Sequence, residues 1–524
     1  MSSSAKYLVV VDFPGIKSFV FGTDKLVEIR GGSSLLDHLN RDELPEFLSS
    51  KLGSEHVRCI FVGGGAGQFV IQGDKTQIEE ALAQFQGRCW EKSGGGLAMN
   101  FALQPYDGDY VQAKDLVYQK LRKRKEEKPF KVPVAWHTGL VRDCDSCSGY
   151  AEKAVKHGGD TSLLCSVCAR KTRFAQDSRN RLWDELVHYA VEQGHNEQWL
   201  QSRQPTTFEH VGKACAAKEG HVGVIYADGN AMGNLVQQIE TPEDFSFFSQ
   251  TVDQSLRTAC YQAMCEHCLD ADTKHVPALI LMLGGDDLLV YTTADRAMPL
   301  ALSVARKFED LTRQAIAESQ KEFFTSNVSH GLTISLGIAF GKYHTPFSLL
   351  LGQAEELLKS AKTKGSQDSR CTAYYAPTYL DCHFTTQFNQ IRVADSRREH
   401  LTQESRPGET LCLTSRPWDQ DTAARVWSEA ERLAHSGIPR SRLKRLGQAP
   451  GLGKTGANLE FYTLLSRTKG TSNGKPRKTL LWESLAAFGC RLDQAPWQQE
   501  GDRTWNTYLT DLVELSELVP RQQS

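Results

Sequence analysis

Hydrophobic positions along the chain sort into two stretches that follow one plan. In the first, "YLVVVDFPG" (7–15) holds an apolar run closed by Asp12, the pattern of a buried strand. A helical stretch follows, then "RCIFVGGGAGQFVIQG" (58–73), two apolar runs around a glycine-rich tip, then the helical repeat "KTQIEEALAQF" (75–85). In the second, "HVGVIYADGNAMG" (221–233) is a strand ending at Asp228. A helix over about Pro242–Cys268 follows, then "ALILMLGGDDLLVYTT" (278–293), then a helix through "LALSVARKFEDLTRQ" (300–314). Asp12 and Gly63 are 51 positions apart, Asp228 and Gly284 56, which predicts a duplicated β-α-β-β-α unit. The expected fold class is α+β, with two ferredoxin-like sheets backed by helices.

The second copy continues with "GLTISLGIAF" (331–340), an alternating strand, and "PFSLLLGQAEELLKSAKTKG" (346–365), apolar at helical spacing with a glycine stop. Between the copies lie a basic helix, "KLRKRKEEK" (120–128), and a cysteine-bearing segment. Beyond residue 380 the periodicity is helical, as in "TAARVWSEAERLAHSG" (422–437), and "KGTSNGKPRK" (469–478) reads as a mobile polar loop. These shifts divide the chain into a first sheet domain (1–105), a helical linker with a cysteine module (106–205, cysteines at 144–168), a second sheet domain (206–378) and a helical C-terminal domain (379–524).

Composition narrows the class. The 524 residues are 40% hydrophobic and 24% charged, as in an ordinary globular protein of several domains. Lys plus Arg (61) nearly balance Asp plus Glu (63), which argues against a protein built mainly to coat nucleic acid. Apolar stretches are too short to cross a bilayer, and the run before Asp12 is too short for a signal-peptide core. The expectation is a cytoplasmic chain without a membrane partner, in which clustered cysteines bind metal before they form disulfides.

The hairpin "LMLGGDDLLVY" (281–291) places two adjacent acids, Asp286 and Asp287, behind two glycines. Such acids repel each other unless a cation sits between them, and Mg²⁺ binds through one or two carboxylates together with substrate phosphates. Asp228, followed by Gly229 and Gly233 at the start of a helix, is the expected third acid. Three carboxylates on strand ends suit two-metal nucleotidyl transfer, and helix N–H groups suit a triphosphate.

On "GGDD", "DGNAMG", "ISLGIA" (334–339) and "AEELLKSAKTKG" (354–365), the chain resembles the palm polymerase/cyclase domain in the large subunit of type III CRISPR effector complexes. It is related more distantly to GGDEF nucleotide cyclases. The resemblance covers most of the chain in order: a degenerate first palm, a four-cysteine zinc module, a second palm and a helical C-terminal domain. It implies a cyclase that joins ATP into cyclic oligoadenylate second messengers and is switched on by target RNA. Guide RNA and a small helical subunit would be partners in a multi-subunit complex. Asp228, Asp286 and Asp287 would be catalytic and hold Mg²⁺ or Mn²⁺. Gly229, Asn230, Gly233, Gly284, Gly285, Ser335 and Lys362 would line the nucleotide, with Lys362 as a compact charge for the triphosphate. The family often has a second acid where Asn230 stands, so Asn230 is not assigned to metal. In the first copy Gly65 and Ala66 stand where the acids belong. Asp12 remains, but one carboxylate cannot assemble two metals, so that copy is expected to be a non-catalytic palm that packs against the active one and completes the second ATP pocket. Many relatives begin with a His-Asp nuclease domain. Here the first strand opens at Tyr7 and the chain has no His-Asp dipeptide, so DNase activity is not expected.

"CDSC" (144–147) and "CSVC" (165–168) give the spacing of a zinc ribbon or knuckle, so Cys144, Cys147, Cys165 and Cys168 are expected to hold a structural Zn²⁺ rather than to be free thiols. "CEHC" (265–268), even with Cys260 and His275 nearby, reads as buried helix-end cysteines. "PGLGKTG" (450–456) has Gln448 where a phosphate loop needs glycine, and reads as a turn starting a helix. The basic clusters 120–128 and 439–445 read as solvated helix faces or RNA-phosphate contacts. Two further functions compete with the guided cyclase: a stand-alone cyclic dinucleotide synthase, and a scaffold subunit without activity. Retention of all three acids speaks against the scaffold.

Overall fold

The computed structural model describes residues 5–126, 141–147, 149–157, 160–177, 180–269, 273–385, 392–472, 475–500 and 502–520. The chain divides into two compact units. One comprises Met1–Thr207, Ala231–Tyr261 and Ile280–Leu288; the other comprises Phe208–Asn230, Gln262–Leu279 and Leu289–Ser524.

In the first unit, β1 (Lys6–Asp12), β2 (Val57–Gly63), β3 (Ala66–Gln72) and β4 (Asn100–Pro105) form a sheet in the order β2-β3-β1-β4. β1 runs antiparallel to both neighbours, so Asp12 lies opposite Ala66 and Asn100. As a central strand it is apolar between its charged ends, and Leu8, Val9 and Val11 are fully buried. Among the helices that accompany the sheet are α1 (Leu26–Asp37), α2 (Lys75–Lys92) and α3 (Tyr110–Glu126). Asp74 caps α2 by accepting the N–H groups of Thr76 (2.9 Å) and Gln77 (3.2 Å). The helix runs on past the predicted Phe85 because Cys89 continues its buried face. The cysteine module consists of β5 (Lys153–His157), β6 (Asp160–Leu164) and α4 (Ser166–Asp177), and α5 (Arg181–Glu192) follows.

The second sheet repeats the plan. β7 (His221–Gly229), β8 (Ala278–Gly284), β9 (Asp287–Thr293) and β10 (Ile334–Lys342) stand in the order β8-β9-β7-β10, the same permutation as in the first. Its helices are α6 (Met232–Gln238), α7 (Pro242–Cys268), α8 (Ala294–Ser319) and α9 (Phe347–Ser366). β11 (Tyr379–Phe384) adds parallel to β10, and Trp418–Asp419 adds antiparallel to β11. The expected two-palm α+β architecture is present.

Residues beyond 419 are helical, as expected, over Gln420–Ala434, Arg440–Gln448, Gly453–Arg467, Arg477–Ala486 and Leu509–Ser516. Unexpected is a four-stranded sheet made by Thr402–Arg406, Glu409–Cys412, Thr504–Asn506 and Gln498–Gln499. Strands of two to five mostly polar residues carry no alternation to read. They are held by Leu411, Trp497 and Trp505 in a small core. Within 469–478, Thr471–Ser472 pairs with Lys475–Pro476, and the two positions between them lie outside the described residues. Among the described residues no helix is long and apolar enough to cross a membrane.

A buried ion pair anchors this half. Arg416 and Asp511 have side chains 1% and 0% exposed, and Arg416 Nε donates to Asp511 Oδ1 at 2.9 Å. Asp511 also accepts from Thr414 Oγ1 (2.7 Å) and from Ser415 N–H (2.8 Å), while Arg416 Nη1 donates to the Cys382 carbonyl (3.0 Å). Asp511→Ala leaves the buried guanidinium with only the partly exposed Glu514 carboxylate and strips the Thr414 and Ser415 donors of their acceptor. It is expected to lower unfolding free energy by about 3–5 kcal/mol, read as a shift of the urea midpoint.

Candidate active site

The two hairpins match position by position. β2 ends at Gly63 and β3 opens at Ala66; β8 ends at Gly284 and β9 opens at Asp287. The first turn residue has positive φ in both, 58° at Gly64 and 61° at Gly285, as a two-residue hairpin demands. The second turn residue differs. Gly65 has φ 75°, whereas Asp286 is not among the positive-φ residues. Without a positive φ at its second position, this turn can carry an acid there.

The Gly284–Gly285 turn is held through its backbone. Gly285 N–H donates to Asp253 Oδ1 at 2.9 Å, and Arg257 Nη2 donates to the Leu283 carbonyl at 3.0 Å. Asp253 sits between two guanidinium groups: Arg41 Nη2 on Oδ1 at 2.7 Å and Arg257 Nε on Oδ2 at 2.9 Å. Burial pushes the Asp253 carboxyl up, but the hydrogen bond from Arg41 and the two positive charges outweigh it and hold the group below the usual carboxylate range. Arg257 continues to Glu185 Oε2 (2.6 Å), which also accepts from Tyr261 Oη (2.7 Å). Sequence reading missed this cluster. Arg41 and Glu185 are far in the chain from Asp253 and Arg257, and all four sit in helical segments where the sequence shows no sign of a charge's partner.

In the second unit, Asp228 is the penultimate residue of β7 and lies opposite Ser335 of β10. Lys362, on α9, forms an ion pair with Asp228 and donates to the Gly229 carbonyl at 2.7 Å. The structure thus joins Asp228, Gly229 and Lys362. Ser335 is fully buried, and its hydroxyl accepts the Tyr379 N–H at 3.4 Å. The buried amide of Asn230 donates to Thr333 Oγ1 (3.0 Å) and the Ala376 carbonyl (3.4 Å). Both side chains are engaged in the scaffold. A Cβ at Gly233 would meet nothing within 4 Å, so the glycine leaves open space. Ala231, the residue before α6, has φ 57°, a strained left-handed conformation for a non-glycine. Ala231→Gly is expected to raise stability by up to about 1 kcal/mol, less glycine's entropic cost, in a denaturant titration.

The first palm keeps part of this arrangement. Lys125 Nζ lies 2.8 Å from Asp12 Oδ2. Lys125 follows the end of β4 at Pro105 by the same interval at which Lys362 follows the end of β10 at Lys342. The duplicated fold therefore duplicates its Asp–Lys pair. A cavity of about 470 Å³ in the first unit is lined by Asp12, Asn40, Gly65, Lys125, Gly284 and Asp287 among others. Other cations of α3 are also tied to the first sheet: Lys120 to the Leu103 carbonyl (3.2 Å) and Arg124 to the Phe101 carbonyl (2.6 Å). Residues 127 and 128 of that basic cluster lie outside the described residues.

The four module cysteines converge, with one ligand atom from each of Cys144, Cys147, Cys165 and Cys168 within 4.8 Å of the others. Backbone N–H groups point at the sulfurs, from Gly149 to Cys147 (3.3 Å), Cys165 to Cys144 (3.3 Å) and Cys168 to Cys165 (3.4 Å). A hydrogen bond from Cys168 and its neighbours' thiols lowers Cys165 to about 5, while burial pushes Cys147 up to about 11. Four sulfurs at tetrahedral reach with N–H donors fit Zn²⁺ and leave no open coordination position. Among the described residues this is the one such cluster, so CEHC supplies no second metal group, and its Cys268 ends α7 buried. Gly453 opens a helix after the turn Ala449–Leu452, with the helix Arg440–Gln448 before it, so no phosphate loop forms at 450–456. Lys444 and Arg445, from the second basic cluster, pair with Glu517 (3.6 Å) and Glu460 (2.5 Å).

Residues 221–371 match the family model described as Cas10/Cmr2, second palm domain. This segment is thus similar to a second palm domain of the Cas10/Cmr2 kind. No curated protein matches the sequence. Among solved structures, Csm1 of T. onnurineus is similar over 99% of this chain and 70% of its own, at 16% identity and TM-score 0.59. A Csm1–Csm4 cassette in complex with cA4 is similar over the same shares, at 14% identity and TM-score 0.56. The cassette in complex with pppApA is similar over 98% and 70%, at 13% identity and TM-score 0.56. The match to an apo cassette spans 53% of that chain at TM-score 0.46.

Proposed function

We propose that this chain is a metal-dependent nucleotidyl cyclase that joins ATP into cyclic oligoadenylates as the large subunit of a type III CRISPR complex in the cytoplasm. One observation carries the reading. Two sheets share strand order and the place of a two-residue hairpin turn, but only the one inside the Cas10/Cmr2 match has acids at its turn. Relatives of the same fold are described with cA4 and with pppApA. Their pairing with Csm4 motivates a partner subunit, with guide and target RNA as the activating signal.

Asp228, Asp286 and Asp287 are proposed to hold two Mg²⁺ or Mn²⁺ ions. The donors are hard carboxylate oxygens, as those cations require, and the Lys362 ammonium already serves Asp228 as a cation. When bound, the metals supply acidification of a ribose hydroxyl and charge for the departing pyrophosphate. In each extending transfer that hydroxyl would attack the α-phosphorus of another ATP, and in the closing transfer that of its own chain's 5′-triphosphate; the oxygen–phosphorus bond forms, the α–β bond breaks, pyrophosphate leaves and the hydroxyl proton passes to solvent. Lys362 is placed to exchange Asp228 for the triphosphate. Gly229, Gly233, Gly284 and Gly285 leave room for backbone approach, and Asn230 and Ser335 fix the strands beneath. The first palm, with Asp12 and Lys125 in the 470 Å³ cavity, seats the second nucleotide. Cys144, Cys147, Cys165 and Cys168 hold a structural zinc.

The test is mass spectrometry of products from purified protein with ATP and Mn²⁺ or Mg²⁺, with and without guide RNA, target RNA and partner subunits. Cyclic oligoadenylates are expected. Unchanged ATP under every condition overturns the reading.

A further inference from the structure

Asp286 closes the two-residue turn and Asp287 opens β9, so a peptide rotation at the turn would move both carboxylates. That turn is gripped on both sides of Gly284: at the Gly285 N–H by Asp253 (2.9 Å) and at the Leu283 carbonyl by Arg257 (3.0 Å). The grip comes from outside the hairpin. Asp253 and Arg257 are one turn apart on α7, and Arg41 comes from the segment after α1 in the first palm. Each of the three side chains is 13–15% exposed, so their charges interact with little screening. The Asp253 carboxylate accepts from Arg41 Nη1 (3.3 Å) and Nη2 (2.7 Å), Arg257 Nε (2.9 Å) and the Gly285 N–H. Its acceptor capacity is used, which fixes its orientation. Glu185 of α5 holds the far side of Arg257 at 2.6 Å, and Arg181 holds Glu185 at 2.9 Å.

We infer that Asp253, braced by Arg41 and Arg257, is a positioning residue that sets the backbone angle at which Asp286 and Asp287 present their oxygens to the metal ions. The inference rests on the proposed metal-holding role of those two acids. On this account the degenerate palm serves the active turn through Arg41, and α5, which follows the cysteine module, serves it through Glu185. An outer group that orients metal ligands changes metal affinity as well as rate. A purely structural ion pair changes neither once the protein is folded.

The experiment titrates Mn²⁺ into full-length protein with ATP, read by electron paramagnetic resonance of free Mn²⁺, beside turnover and thermal midpoint. Asp253→Asn puts an amide N–H against two guanidinium groups, and Arg257→Lys keeps the charge but not the second contact to the Leu283 carbonyl. Both are expected to weaken Mn²⁺ binding by about 10- to 100-fold and to lower kcat over a similar range. Asp381→Asn, in the buried Arg397–Asp381 pair of β11, is the comparison, and is expected to lower the thermal midpoint without moving the Mn²⁺ titration. Wild-type Mn²⁺ affinity in folded Asp253→Asn and Arg257→Lys overturns the inference. An equal loss in Asp381→Asn also overturns it, because general loosening would then suffice. Undiminished Mn²⁺ binding by Asp286→Ala/Asp287→Ala would instead refute the metal assignment beneath it.

Discussion

Asp286→Ala combined with Asp287→Ala is expected to reduce oligoadenylate formation from ATP by at least about 10³-fold while the protein stays folded. Metal ions contribute several kcal/mol by neutralising charge that develops during phosphoryl transfer, and each 1.36 kcal/mol is tenfold in rate. Asp228 alone cannot hold two ions. Stability should change by no more than about 0.5 kcal/mol, because both residues are only partly buried at a turn tip. The turn itself is held through Gly285 N–H and the Leu283 carbonyl, which the double substitution leaves intact. Chromatographic product quantification beside thermal denaturation checks both halves. Wild-type product from the double variant would remove these acids from the chemistry.

The fold was legible wherever burial imposes a period. β1 and β7 are central strands, so they read as apolar runs ending in acids, and α7 starts and stops where expected, at Pro242 and Cys268. The duplication was legible because each copy must bury the same faces, and the matching strand order bears it out. The cysteine quartet was legible because ligand spacing is a local property, and the four side chains converge. What escaped has one cause. The Arg41–Asp253–Arg257–Glu185 cluster and the Arg416–Asp511 pair join charges that are distant in sequence, and a charge on a helix looks the same whether it faces water or another ion. The short C-terminal strands escaped because two to five mostly polar residues show no alternation, and the pairing that joins the two hairpins spans about a hundred residues. Lys125 escaped for a different reason. Its basic run read as a solvated helix face or an RNA-phosphate contact, and only the repeated topology aligns it with Lys362.

Cys165→Ser is expected to be the most destabilising change outside the active palm. Cys165 lies 3.7 Å from Cys147 between the sulfurs, and the Cys168 hydrogen bond holds its thiol below the ordinary thiol range. A serine hydroxyl does not ionise there, which leaves three sulfur ligands for a metal that structural sites hold with four. Because zinc binding free energy is folding free energy for a small module, losing the fourth ligand costs several kcal/mol. The damage does not stop at the module. α4 packs so tightly on α1 that a Cβ at Gly31 would sit 2.0 Å from the Lys171 carbonyl oxygen, and Lys171 itself is buried against the first palm, 3.5 Å from the Val20 carbonyl. Zinc per chain by mass spectrometry should fall from one to well below one, with a thermal midpoint lowered by roughly 2–4 °C per kcal/mol lost. Turnover per folded molecule should hold, since the module supplies no group to the nucleotide. A zinc-free variant as stable as the parent would show that the quartet is four thiols in a core and not a metal centre.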